Sequence, residues 1–192
     1  MPIHRYLLST AAAIALCLSM PALAQHPTSA PRNSAAQEQL SKPDMEFMKK
    51  AAIGGMAEVE LGKLAQQNGQ SQPVKDFGSR MVQDHGQAND QLKSIAQQKG
   101  VQLPQQLDGE HMQMRDRLAK LQGDQFDRAY MRMMTTDHDK DVKEFRKEAQ
   151  TSKDPDLKRF ARDTLNTIEQ HDQLAHNVDR QLISTGSSRA PR

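Results

Sequence analysis

The amino-acid sequence predicts an all-α protein, an antiparallel four-helix bundle with a short extra helix in the long connection between the second and third long helices. Three observations predict it. Apolar residues recur at steps of three and four through four long segments, while no segment sustains the period-two alternation of a strand. Each long segment is bounded by helix start and stop residues. Two of the three connections are short enough to force antiparallel neighbours, and the third is long enough to run the length of a bundle.

The elements follow in chain order. Residues 1–24 read as a secretory signal: His4 and Arg5 precede an apolar run from Leu7 to Leu18, and Ala22-Leu23-Ala24 supplies a small-x-small cleavage site. That run falls short of the roughly 20 residues a bilayer span needs. The single cysteine, Cys17, lies inside it behind Leu16, where a lipoprotein signal takes a small residue, so neither a lipid anchor nor a disulfide is expected. Residues 25–40, rich in Pro, Ser, Ala and Gln without apolar period, are expected to form a disordered tether. The bundle domain is assigned to 41–186. Its first helix starts at Ser41-Lys42-Pro43-Asp44, a capping signature with Pro in the first turn, and stops near Gly69. The second opens after Ser71 with Pro73 in its first turn and ends at Lys99-Gly100, a basic last turn and a terminating glycine. Val101 to Gly123 is interrupted by Pro104 and Gly109, and only about Glu110 to Leu121 suits a short helix. The next long helix runs from Asp124 to about Gln150. The last begins at Asp154-Pro155 and reaches Gly186, leaving 187–192 as a flexible tail.

The charge balance excludes some functions. The sequence has 26 basic and 24 acidic residues, and the signal removes only Arg5, so no field steers nucleic acid or an anionic membrane toward the mature chain. No segment after the signal is apolar enough for membrane insertion, and the periplasm is the expected destination. With no Trp, five Phe and two Tyr, the core must be built from Leu, Met, Ala and Val. There is no Ser-His-Asp order, phosphate loop or Cys cluster, so a binding protein is expected ahead of an enzyme. A homodimer is left open.

The apolar stripes carry the informative exceptions. They read Phe47, Ala51, Gly54, Glu58, Leu61, Ala65; then Val74, Phe77, Met81, His85, Ala88, Leu92; then Phe126, Tyr130, Met134, His138, Val142, Phe145; and Leu157, Phe160, Thr164, Ile168, His171, Ala175, Val178. Each stripe is broken near its middle by one group a core excludes unless it is paired or coordinated. Glu58 precedes Ser71 by 13 residues and His85 follows it by 14, which puts both about 20 Å from one loop. His138 precedes Asp154 by 16 and His171 follows it by 17, about 25 Å from the other loop. One level of the bundle can hold all four.

The expectation is therefore a site for a single transition-metal ion on Glu58, His85, His138 and His171, a donor set that suits zinc, iron, manganese or copper. Asp84, Asp137, Asp141 and Asp172 stand next to these residues as groups that would fix the ring tautomers, with Asp141 a candidate extra ligand. The competing expectation is a metal-free buried network in which Asp carboxylates or backbone carbonyls satisfy the histidines and Glu58 pairs with one of them.

Gly54-Gly55-Met56-Ala57-Glu58-Val59-Glu60-Leu61-Gly62, then Val74-Lys75, Met81-Val82-Gln83-Asp84-His85 and Ala88-Asn89, resemble the bacterial family known as domain of unknown function 4142. Phe126-Asp127, Tyr130, His138 and the stretch from Ile168 to His171 continue the likeness. The resemblance implies a ferritin-like four-helix fold in an exported protein and leaves the activity open. It also exposes a departure. Di-iron proteins of this fold place Glu three residues before His on two helices, whereas Val82, Thr135 and Ile168 occupy those positions here. A single-ion site or an empty polar cluster fits better.

Three functional classes remain: an exported protein that handles a metal or serves envelope stress, a non-catalytic envelope interaction protein with a metal-free network, and, ranked last, a pH sensor built on the clustered histidines. Frequent methionines are read as adaptable core filling rather than a copper(I) thioether set, with Met133 off the stripe. His111 and His176 are expected at the surface. Gly54, Gly55 and Gly62 are expected to let helices approach closely.

Overall fold

The Ser41 side chain accepts a hydrogen bond from the Asp44 N–H and opens α1, Lys42–Asn68, as its spacing predicts. The structure, a computed structural model, describes residues 40–187; the signal, all but the last residue of the tether and most of the tail lie outside them. Four further helices follow: α2, Gln72–Lys99; α3, Gly109–Leu118; α4, Gly123–Thr151; and α5, Pro155–Ser187. Gly100 terminates α2 in the left-handed region at φ 68°, where a side chain would be strained. Asp154 caps α5 by accepting from the Asp156 and Leu157 N–H groups, with Pro155 at the first helical position. Among the described residues there is no strand, and no helix is long and apolar enough to cross a membrane.

Two sets of cross-links give the directions of the helices. Asp127, near the start of α4, accepts from the Gln70 and Ser71 N–H groups of the α1–α2 loop at 2.9 and 2.8 Å. Lys99, at the end of α2, bridges Asp154 and Asp156 at the start of α5, at 2.6 and 2.8 Å. So α4 starts where α1 ends, and α5 starts where α2 ends. The helices α2 and α4 therefore run the same way, and residues 100–122 must return along the whole bundle. This is the ferritin-like topology, with one long crossover. Within the crossover, α3 lies against α1, where Arg115 meets Glu60 at 3.1 Å.

The apolar interior is in two parts. Leu61, Ala65, Phe77, Met81, Phe126, Tyr130 and Met134 pack around the α1–α2 loop end. Phe47, Met48, Leu92, Phe145, Leu157, Phe160 and Ile168 pack around the other. Burying such side chains supplies most of the folding energy, about 1.5–3 kcal/mol each. Between the two parts sit Glu58, His85, His138 and His171, all buried.

Glycine governs how closely the first hairpin closes. A Cβ on Gly62 would lie 2.6 Å from the Gly78 carbonyl oxygen, and one on Gly78 would lie 2.6 Å from the Ala65 Cβ. A Cβ on Gly55 would collide with the Asn89 amide. Gly54 corrects the expectation made for it: a Cβ there meets nothing within 4 Å, because the buried face of α1 passes through Gly55, one residue on.

Candidate metal centre

Each of α2, α4 and α5 delivers one imidazole to the same level. Ring centroids are 5.9 Å apart for His85 and His138, 5.4 Å for His85 and His171, and 5.6 Å for His138 and His171, a nearly equilateral triangle. One ligand atom from each ring lies within 4.8 Å of those of the other two. An ion with bonds of about 2 Å would have to draw such donors in by at most about 1 Å. Phe77 closes the triangle from the loop side, with its centroid 6.0 Å from His138 and 6.5 Å from His171.

Hydrogen bonds decide which nitrogens are free. The His138 Nδ1–H donates to the Met134 carbonyl at 2.9 Å; a carbonyl only accepts, so the proton is fixed there and Nε2 carries the lone pair. The His171 Nε2–H donates to Asp84 Oδ2 at 2.8 Å, leaving Nδ1 with the lone pair. His138 Nε2, His171 Nδ1 and His85 Nε2 are all buried without a hydrogen-bond partner among the described residues. Burial, followed by the repulsion of His138 and His171, holds His85 well below its ordinary value. Burial, then His171, brings His138 down to about 4. Burial also lowers His171, against the opposing pull of Asp84. All three rings are neutral near pH 7, as ligand imidazoles must be.

Glu58 stands apart from this triangle. Its Oε1 is 4.0 Å from His138 Nδ1, the nitrogen already committed to Met134, and it is not among the converging ligand atoms. Burial, then Asp141 and Asp137, pushes its carboxyl well above the usual range. Burial, and then Glu58, raises Tyr130 as well.

The four neighbouring acids divide by geometry. Successive helical residues point about 100° apart, so Asp84, one before His85, cannot serve its own ring. It reaches across to His171 on α5. By the same rotation Asp137 faces Lys140 at 3.6 Å, and Asp172 faces His176 at 3.6 Å. Asp141, one turn after His138, lines a small cavity with His85, and burial ahead of Asp137 raises it to about 7. Of the four, Asp84 takes the tautomer-fixing role.

The sequence reading left two features unread. Asp139, Asp172 and His176 bring three ligand atoms within 4.8 Å of one another on the outer α4–α5 seam; the spacing of Asp172 and His176, one turn apart, was the available signal. Asp44 and Glu148 are both buried at the far end of the bundle, and no pattern in the sequence marks that pair.

Fold and site define a ferritin-like helical bundle with a trio of buried histidines at mid-height. More particularly, the chain belongs to the family described as Domain of unknown function (DUF4142), whose sequence model matches residues 29–178. No curated protein matches the sequence. Among solved structures the fold is similar to a DUF305 fragment from Deinococcus radiodurans, at TM-score 0.65 and 15% identity over 74% of this chain and 98% of that one. It is also similar to CopM in the Cu(II)-bound form, at TM-score 0.62 and 17% identity over 72% and 96%. The Cu(I)-bound form of CopM gives TM-score 0.61 and 16% identity over the same shares.

Proposed function

We propose that this is an exported metal-handling protein that holds one transition-metal ion, copper foremost, on His85, His138 and His171. The observation that carries the proposal is a set of three rings that each hold a buried, unpartnered nitrogen and whose ligand atoms come within 4.8 Å of one another. In a self-sufficient polar network buried nitrogens find partners, whereas here hydrogen bonds engage one nitrogen each of His138 and His171 and leave a buried nitrogen on every ring without a partner among the described residues. An all-imidazole set suits copper, zinc, iron or nickel. Copper is placed first because CopM, whose fold is similar, is known in Cu(II)- and Cu(I)-bound forms.

The surroundings support binding rather than turnover. Met134 and Asp84 orient the donors, Phe77 shields them, and Glu58 supplies a neutral acid whose ionisation would offset an added positive charge. An ion held there would be withheld from water and from other ligands. Residues 1–24, read as a secretory signal, place this activity in the periplasm under the proposal.

The test is elemental analysis of protein purified without chelator and then loaded with copper, alongside His85→Ala and His138→Ala. One equivalent of metal in the wild type, lost in both variants, is the expected result. A folded wild type that retains no metal, with a thermal midpoint indifferent to EDTA, would replace this reading with the metal-free network.

A further inference from the structure

His85 and His171 also form the inner end of a groove. Between α2 and α5 a cavity of about 230 Å³ is walled by Gln87, Gln91, Thr164 and Thr167, with Asp84 beside the two rings. Gln87 and Gln91 are exposed, whereas both rings are buried. The groove therefore leads from solvent to the histidines. Its two carboxylates are engaged, Asp84 by His171 and Asp163 by Arg162, and no lysine or arginine lines it.

A second cavity reaches His85 from the α1–α4 side. It measures about 40 Å³ and is lined by Lys50, Gly54, Asp141 and Glu144 among others. The groove has several times the room of this second cavity. The groove offers the more room to a cation carrying part of its hydration shell, whereas the smaller cavity is spanned by the Lys50–Glu144 ion pair at 3.8 Å.

We propose that the ion reaches and leaves the three histidines through the α2–α5 groove, and that Asp84, which orients His171, is also the anionic group that receives it at the inner end of the groove. The proposal rests on the metal-binding reading. Asp84 suits both tasks because its side chain is 29% exposed while His171 is 1% exposed, so it spans the boundary between water and the interior. An ion arriving at its free lone pairs is next to the rings without crossing apolar core.

Stopped-flow uptake of Co(II), followed by its visible d–d bands, and release to excess EDTA test the route. Thr167→Trp narrows the groove without touching a ligand, and Gln91→Trp narrows it from the opposite wall. Gly54→Leu narrows the smaller cavity, where a side chain meets no neighbouring atom within 4 Å at its Cβ. Either Trp variant is expected to slow uptake and release together by about tenfold while the equilibrium constant stays within about twofold, since an obstruction scales both rates alike; Gly54→Leu is expected to leave both rates unchanged. Unaltered rates in the Trp variants, or slowing by Gly54→Leu instead, would overturn the route while leaving the metal site standing. A wild type that takes up no Co(II) at equilibrium overturns the metal reading and this route with it.

Discussion

His171 Nε2 and Asp84 Oδ2 lie 2.8 Å apart across the seam between α5 and α2, and this contact determines which nitrogen of the ring faces the interior. Reversing the tautomer would place the proton on the buried Nδ1 and remove its lone pair. At the proposed metal site Asp84 is thus a positioning residue and not a ligand.

Asp84→Ala is expected to lower metal affinity by about 10- to 100-fold, the usual cost of losing a carboxylate that orients a ligand histidine. Asp84→Asn, which still accepts a hydrogen bond, should recover part of it. Competition titration against a chelator measures both, and an unchanged affinity in Asp84→Ala would remove the orienting role.

Acid should release the metal late. A solvated histidine site surrenders its ion as pH falls through about 6.5, but burial and mutual repulsion keep His85 well below that value and His138 at about 4. Metal should therefore be retained at about pH 5 and lost near pH 4. In the metal-free chain the same groups destabilise the fold as pH drops from 6.5 toward 4, because the unfolded chain binds protons that the buried rings refuse. A pH titration of the Co(II) bands, and unfolding midpoints of the metal-free chain, check the two halves of this prediction.

Glu148 has the opposite sign. Burial first, and then Asp44, raises it from 4.5 to about 7, so it is neutral in the folded chain and ionised in the unfolded chain between those values. Its contribution is complete below pH 4.5 and is lost as pH rises through about 7. Relative to wild type, Glu148→Gln should gain thermal stability between pH 5 and pH 8. A constant difference in midpoint across that range would show that Glu148 does not titrate there.

The glycines should separate cleanly. Gly62→Ala places a Cβ against the Gly78 carbonyl, and forcing the α1 and α2 backbones apart should cost about 1–3 kcal/mol, as overpacking does. Gly54→Ala meets nothing and should gain up to about 1 kcal/mol from helix propensity. Urea denaturation of the two variants measures both effects.

Much of this architecture was legible in the residues. Ser41, Gly100 and Asp154-Pro155 punctuate the helices through local chemistry that tertiary packing did not override. Counting turns from two loops brought three histidines to one level, since rise per residue hardly varies. What eluded counting was direction within a level. Glu58 lies at the right height but beside the wrong nitrogen of His138, because the rotation of α1 is set by the Gly62–Gly78 approach and by Asn89 filling the space over Gly55. Likewise Asp84 was marked as a neighbour of His85, yet its partner is on another helix. The pairing of Asp44 with Glu148 depends on which helix ends meet, which only the crossover determines.

The histidine triangle is unequally shared: one corner comes from the first hairpin and two from the second, the last of them well inside α5. A chain with only one hairpin folded owns at most two of the three rings. High-affinity capture would begin only when both halves have docked, so ion retention would double as a readout of finished folding.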